Sequence, residues 1–269
     1  MIPVLITILL LFLLYLLALR GRTRHPLLRQ LRKWSYAHRG LHGNGVPENS
    51  LAAFRKAVEH GYGSELDVHL LADGNLAVIH DTSLKRTAGV EVDIETLTVE
   101  DLTKYRLEGT EETIPTLQEV LDLYDGKAPL IIELKSDNDN YAELTETTCK
   151  LLENYKGLYC LESFDPRCIR WLKRNRPKLV RGQLAHNSLR DKKSKVSWLL
   201  RFCMTNLISN FWNTPDCIAY HFPDRHIPGV CIARRMWKIQ GVSWTLRNPE
   251  DYKTALSENW IPIFEGFEP

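Results

Sequence analysis

Hydrophobic positions fall along this chain in three regimes. The first is a continuous run, "MIPVLITILLLFLLYLLAL", with no charged side chain before Arg20. The second is a set of eight short apolar or β-rich runs, at residues 35–37, 64–70, 129–135, 158–163, 179–185, 217–222, 242–246 and 261–264. The third lies between those runs, where apolar residues recur at helical spacing. "SLAAFRKAVEH" follows Asn49, a good N-cap, and stops at Gly61; "PTLQEVLDLY" starts with Pro115 at the first helical position. "YAELTETTCKLLENY" repeats apolar residues every three or four positions, and "DPRCIRWLKRN" and "NPEDYKTALSE" each open on a capping residue followed by proline. Strands alternating with helices imply a parallel sheet, and eight such units predict a closed α/β (β/α)8 TIM barrel over residues 34–269. One excursion interrupts it, residues 72–114, which begins as a hairpin through Asp73-Gly74.

The apolar run changes the picture of how the barrel is held. At helical rise, 19 residues reach roughly 28 Å, enough for a bilayer core. Residues 1–19 are therefore expected to form a transmembrane helix, with residues 20–33 as a basic juxtamembrane linker. Neither the basic start nor the small-residue cleavage site of a signal peptide is clear here. Residues 1–33 hold six Lys/Arg and no acid; with 35 basic and 33 acidic residues in all, the remainder carries 29 and 33, a balance of −4. The basic flank after the span predicts a single-pass membrane protein with residues 34–269 in the cytoplasm. The mildly acidic body argues against a nucleic-acid partner. Six cysteines without CxxC or metal-ligand spacing read as scattered buried thiols.

Candidate chemistry gathers where barrel enzymes keep it, at the C-terminal ends of strands. His38 and Arg39 follow the first run. Glu65 and Asp67 are two apart on the second and share a face, as do Glu133 and Lys135 at the end of "PLIIELK". His80 and Asp81 close the returning hairpin arm. Taken singly, each is ordinary: a lone strand glutamate is more often an edge residue or half of an ion pair, and a lone histidine a structural donor. Convergence at one barrel end favours a divalent-metal phosphodiesterase. Glu65, Asp67 and Glu133 offer a hard oxygen site for Ca²⁺ or Mg²⁺. Arg39 has the fork that grips phosphate and Lys135 supplies a point charge. His38 and His80 titrate near neutrality, as an acid and a base for the reaction must. His69, on the same face as Glu65, is expected behind the site or exposed rather than on the metal. His221 either lines the pocket or does not, and Glu162 and Ser163 could contact the leaving group.

"AHRG", "PENSLAAFRKAVEHG", "ELDVHLLADGNLAVIHDTSLKRTAG", "IPTLQEVLDL", "IIELK", "ESFDP" and "VSWTLRN" run in order from residue 37 to about 248. In these pieces the chain resembles the glycerophosphodiester phosphodiesterases, (β/α)8 enzymes that hydrolyse deacylated phospholipids. The resemblance implies metal ligation by Glu65, Asp67 and Glu133, acid–base work by His38 and His80, and phosphate contacts from Arg39 and Lys135. It also implies that Trp244 flanks the substrate and that Glu48 and Asn49 brace the site. The expected reaction is metal-dependent hydrolysis of a glycerophosphodiester to sn-glycerol 3-phosphate and an alcohol. A lysophospholipase D acting on lysophospholipid at the membrane, and a barrel that binds phosphate or lipid without turnover, stand as alternatives. Two departures mark the chain: Ala72 replaces the threonine usual before the turn, and "NWIPIFEGFEP" replaces the usual "DGI-T-D-P" ending, which makes barrel closure and the floor near strand eight the places where the chain is expected to depart from the family.

Overall fold

The computed structural model describes residues 2–191 and 196–269. Its centre is a closed ring of eight parallel strands: β1 (Tyr36–His38), β2 (Gly63–Leu70), β4 (Leu130–Leu134), β5 (Tyr159–Ser163), β6 (Arg181–Ala185), β7 (Cys217–His221), β8 (Gln240–Leu246) and β9 (Trp260–Phe264). Pairing of β1 with both β2 and β9 closes the ring, with Tyr36 opposite Gly63 on one side and Ile263 on the other. All eight expected runs are therefore barrel strands. The extra strand β3 (Leu76–Val78) folds back antiparallel on the end of β2, as the Asp73-Gly74 turn predicts, with Gly74 at φ +79°.

Five helices between strands follow the sequence pattern: α2 (Leu51–Glu59), α3 (Leu117–Tyr124), α4 (Tyr141–Leu152), α5 (Pro166–Asn175) and α8 (Pro249–Ser257). Helices α6 (Trp198–Thr205) and α7 (Pro228–Arg235) add to the expected set, and α1 (Ile2–Ala18) stands ahead of the barrel. Two starts differ by a residue or two from expectation. Ser50, not Asn49, caps α2: its Oγ accepts from the Ala53 N–H at 3.1 Å, and Asn49 sits at φ +52° with its amide turned into the barrel mouth. Thr116, not Pro115, leads α3, in a reciprocal capping box with Glu119.

Tyr36, Ile131, Cys160, Cys217, Val242 and Ile263 fill the inside of the ring, and Leu28 and Leu31 plug its N-terminal end. A second apolar layer joins strands to helices around Phe54, Leu66, Leu130 and Leu161. Each such fully buried side chain contributes about 2 kcal/mol of transfer free energy. The 72–114 excursion has its own small centre, with Leu71, Ile79, Leu84, Ile94 and Leu102 packed together. Four of the six cysteines are buried and all are free thiols; Cys160 and Cys217 face each other inside the ring with sulfurs 3.9 Å apart.

The N-terminal segment departs from expectation. Helix α1 is uncharged over all 17 residues, about 26 Å of rise, and among the described residues no helix is long and apolar enough to cross a membrane. The expected 19-residue span is not met. Its last turn docks on the barrel, where the Trp237 indole N–H donates to the Leu16 carbonyl at 2.8 Å. Arg22 follows, and its guanidinium donates to Asp216 Oδ2 at 2.7 Å and to the Leu179 carbonyl at 2.9 Å.

Candidate active site

Strand register builds the site. His38 lies opposite Glu65 across β1–β2, Asp67 opposite Glu133 across β2–β4, and Glu133 opposite Glu162 across β4–β5. Side chains two apart on a strand share a face, so Glu65 and Asp67 both point into the ring. Carboxylate oxygens of Glu65, Asp67 and Glu133 lie within 4.8 Å of one another, and all three residues are buried. Lys135 Nζ reaches between two of them, 3.0 Å from Asp67 Oδ1 and 2.8 Å from Glu133 Oε1.

The turn after β1 aims Arg39. Arg39 and Gly40 both take left-handed backbone, φ +55° and +80°, and a Cβ on Gly40 would stand 2.8 Å from the Ala53 Cβ. Only glycine lets α2 pack so close to the strand end. The Arg39 main-chain N–H donates to Glu65 at 3.3 Å, and its guanidinium lies 3.5 Å from Asp67 and donates to Glu48 at 2.8 Å. Glu48 also accepts from Arg86 at 2.6 Å, and the Asn49 amide donates to Asp67 Oδ2 at 2.9 Å. These bonds are the bracing expected of Glu48 and Asn49.

Both histidines have a carboxylate behind the ring. His38 Nδ1 is 2.8 Å from Glu265 Oε2, which leaves Nε2 facing the cluster, 3.8 Å from Glu65. His80 Nδ1 is 2.5 Å from Asp81, whose other oxygen accepts from Arg86. Burial pulls both imidazoles below their ordinary pKa, with Glu265 partly opposing at His38 and Asp67 at His80. Each ring therefore binds a second proton less readily than a free imidazole, which leaves it able to pass one on.

The acids are pushed apart. Burial, then repulsion from Asp67, Glu133 and Glu162, drives Glu65 well above the carboxylate range. Burial raises Glu133 to about 7 despite Lys135. Burial also opposes ionisation at Asp67, but Lys135, His80 and Arg39 outweigh it and hold Asp67 below its usual value. Four carboxylates, counting Glu162, thus share two fixed cations. Hard oxygen donors crowded at ligand spacing and short of positive charge are what a divalent cation requires, so the residues fit one.

His38, Arg39, Glu65, His80, Glu133 and Trp244 line one cavity of about 160 Å³. Asp67 and Lys135 join through the ion pairs above, so all eight sequence candidates meet at one rim. A larger cleft of about 760 Å³ shares His80, Glu133 and Phe164 with it and adds Lys135, Leu200 and Met204. Trp244 stands edge-on to Phe164 at 5.6 Å between ring centres and tilts over His221 at 5.3 Å. His221 does line the cavity, held by Asp224 at 2.8 Å. Glu162 lines it too, with one oxygen buried and unpartnered. Ser163 instead donates to the Leu134 carbonyl at 2.7 Å. His69 is fully buried behind the site, bridging Glu95 at 3.1 Å and the His80 carbonyl at 3.2 Å. Sequence reasoning missed Glu265; the available signal was an acid directly after the last apolar run, at the strand end where this site is built.

A model of the glycerophosphoryl diester phosphodiesterase family matches residues 38–264. A glycerophosphodiester phosphodiesterase of Caldanaerobacter subterraneus subsp. tengcongensis is 38% identical over 158 residues, 55% of this chain and 65% of that protein. Lysophospholipase D GDPD1 of Rattus norvegicus is 34% identical over 133 residues, 45% of this chain and 41% of that protein. The matched stretches thus span less than two thirds of these relatives. A solved phosphodiesterase of Oleispira antarctica, in complex with the product sn-glycerol-3-phosphate, superposes with a TM-score of 0.70 at 21% identity, covering 86% of this chain and 92% of that one.

Proposed function

The chain belongs to the glycerophosphoryl diester phosphodiesterase family, and we propose that it hydrolyses glycerophosphodiesters to sn-glycerol 3-phosphate and an alcohol. One observation carries the reading: three carboxylates within 4.8 Å of one another stand between two histidines that each have an acid behind the ring. Glu65, Asp67 and Glu133 would hold Ca²⁺ or Mg²⁺, which supplies Lewis-acid stabilisation of charge on a phosphoryl oxygen. Arg39 and Lys135 bind the diester's anionic oxygens, and Trp244 covers the sugar-alcohol side. Water, or the neighbouring glycerol hydroxyl followed by water, attacks phosphorus. One histidine takes the proton from the nucleophile at its free Nε2. The other gives a proton to the alkoxide as its P–O bond breaks. Glu265 and Asp81 keep Nδ1 protonated, so each ring presents Nε2.

Glycerol 3-phosphate release from glycerophosphocholine tests this directly. Loss of more than about 100-fold in His38→Ala and Glu65→Ala is expected. Unchanged activity in both would overturn this assignment of the site, and no release by the wild-type chain would leave a barrel that only binds phosphate or lipid.

A second reading, lysophospholipase D, draws on the apolar wall that Phe164, Leu200 and Met204 give the larger cleft. Faster turnover of lysophosphatidylcholine than of glycerophosphocholine would select it.

Helix α1 also supports a membrane location, because its apolar side chains from Ile2 to Leu14 are exposed on every face and need a cover. Residues 1–19 would attach the chain to a bilayer, residues 20–33 would form the juxtamembrane segment, and their cations would keep the barrel on the cytoplasmic side. Digestion of the barrel by protease added outside sealed cells would reverse that orientation.

A further inference from the structure

The N-terminal end of the barrel, opposite the catalytic rim, carries a cavity of about 530 Å³ between the end of α7 and the first residues of β8 and β9. Arg32, Arg225, Arg234, Arg235 and Lys238 line it, against one carboxylate, Glu258. Glu258 is spent on Arg225, at 3.1 Å. The Arg234 guanidinium lies 3.8 Å over the Trp260 ring and donates to the Glu258 carbonyl at 2.7 Å; among the described residues it pairs with no carboxylate, and its Nε is buried without a partner. Among the described residues, Arg32 has no ion pair and makes a 3.4 Å side-chain contact to Asn259. Among the described residues, Arg235 and Lys238 have no ion pair. The negative end of the α7 dipole accounts for Arg234 and Arg235. It does not account for Arg32, which comes to the same hollow from the segment before β1. Like charges drawn into one cavity without counter-charge mark a place for an anion, and planar guanidinium forks suit phosphate.

We propose that this cavity binds the phosphate-bearing headgroup of an anionic membrane lipid. The position of α1 selects a lipid over a soluble anion. Trp237, next to Lys238, bonds to the Leu16 carbonyl at 2.8 Å, and Arg20 stacks 5.2 Å over the same ring. The exposed apolar helix therefore leaves the barrel beside the basic hollow, which puts acyl chains and headgroup within reach of one another. The inference rests on the membrane attachment proposed above and is independent of the catalytic reading. A headgroup held there turns the N-terminal ends of the strands toward the bilayer. The catalytic rim then faces the aqueous side, which suits a water-soluble diester.

Vesicle flotation of the full chain tests the proposal, with phosphatidylcholine alone and with phosphatidylcholine carrying a minor fraction of phosphatidic acid. Wild type is expected to bind the anionic vesicles more tightly, and Arg235→Ala/Lys238→Ala to lose about tenfold of that binding. Binding to neutral vesicles, which α1 provides, and turnover of glycerophosphocholine stay unchanged in this variant. Arg55→Ala/Lys253→Ala, which removes two exposed cations elsewhere, leaves the anionic preference intact; equal loss in both variants would reduce the effect to net charge and overturn the site. Calorimetric titration with inorganic phosphate separates the sources. Phosphate binding abolished by Arg235→Ala/Lys238→Ala without any preference for anionic vesicles would assign the cavity to a soluble anion and overturn the lipid. No response to either probe would overturn the site altogether.

Discussion

His38 Nδ1 and Glu265 Oε2 lie 2.8 Å apart, joining the first barrel strand to the segment after the last one. The bond fixes which nitrogen of the imidazole looks into the cluster. His38 and Arg247 hold Glu265 at about 2 against the effect of burial, so the acid is ionised throughout the working range. A negative charge there raises the affinity of His38 for a proton, partly offsetting burial.

Glu265→Gln removes that charge while keeping the size of the side chain. His38 then binds protons less well, so the acidic limb of the kcat/KM profile that reports it moves to lower pH, while the maximum falls about 10-fold to 100-fold as the ring loses its orientation. Glu265→Asp recovers part of the rate. A fall in rate with no movement of the pH limb would make Glu265 a packing residue only.

Much of this was legible in the chain. The eight strands announced themselves as short apolar runs because a parallel barrel buries both faces of each strand. Glu65, Asp67, Glu133 and Lys135 stood out for the same reason, as charges where burial costs most. Glu265 was hidden because it sits past the end of a strand, in a tail that departs from the family's usual ending and where an acid is unremarkable. The Asn49 cap was misread because asparagine serves equally in a cap, in a left-handed turn and as an amide donor, and only the fold shows which is used. For α1, composition gave the apolar character, but helix length depends on where the chain turns to dock on Trp237.

Metal dependence should appear in stability as well as in rate. Chelator is expected to abolish turnover, and Mg²⁺ or Ca²⁺ at about 100 times its dissociation constant stabilises the fold by about 2.7 kcal/mol. Thermal melting with and without each ion reads this. Glu65→Gln should lose both the rate and the thermal shift, and a full shift in that variant would place the ion elsewhere.

Without metal, Glu133 makes the fold sensitive to pH in an unusual direction for an acid. Its pKa rises from 4.5 unfolded to about 7 folded, mainly through burial. The folded state therefore holds the proton more tightly, and this contribution to stability is complete below pH 4.5 and lost as pH rises through about 7. Melting of chelated protein across that window should fall with pH, and Glu133→Gln should flatten the fall. A slope that persists in the variant would assign the effect to another group.

Asn49 and Ser50 are neighbours with separable tasks. The Ser50 hydroxyl accepts from Ala53 N–H at 3.1 Å and serves the helix; the Asn49 amide donates to Asp67 at 2.9 Å and serves the cluster. Ser50→Ala should cost about 1 kcal/mol of stability through the lost cap and leave metal affinity alone. Asn49→Ala frees an oxygen of Asp67 from its fixed donor and should weaken metal binding by about tenfold or more. Asn49 also holds a left-handed backbone, φ +52°, so Asn49→Gly keeps the turn and isolates the amide. Equal metal affinity in Asn49→Gly and wild type, measured by calorimetry, would show that the turn matters and the hydrogen bond to Asp67 does not.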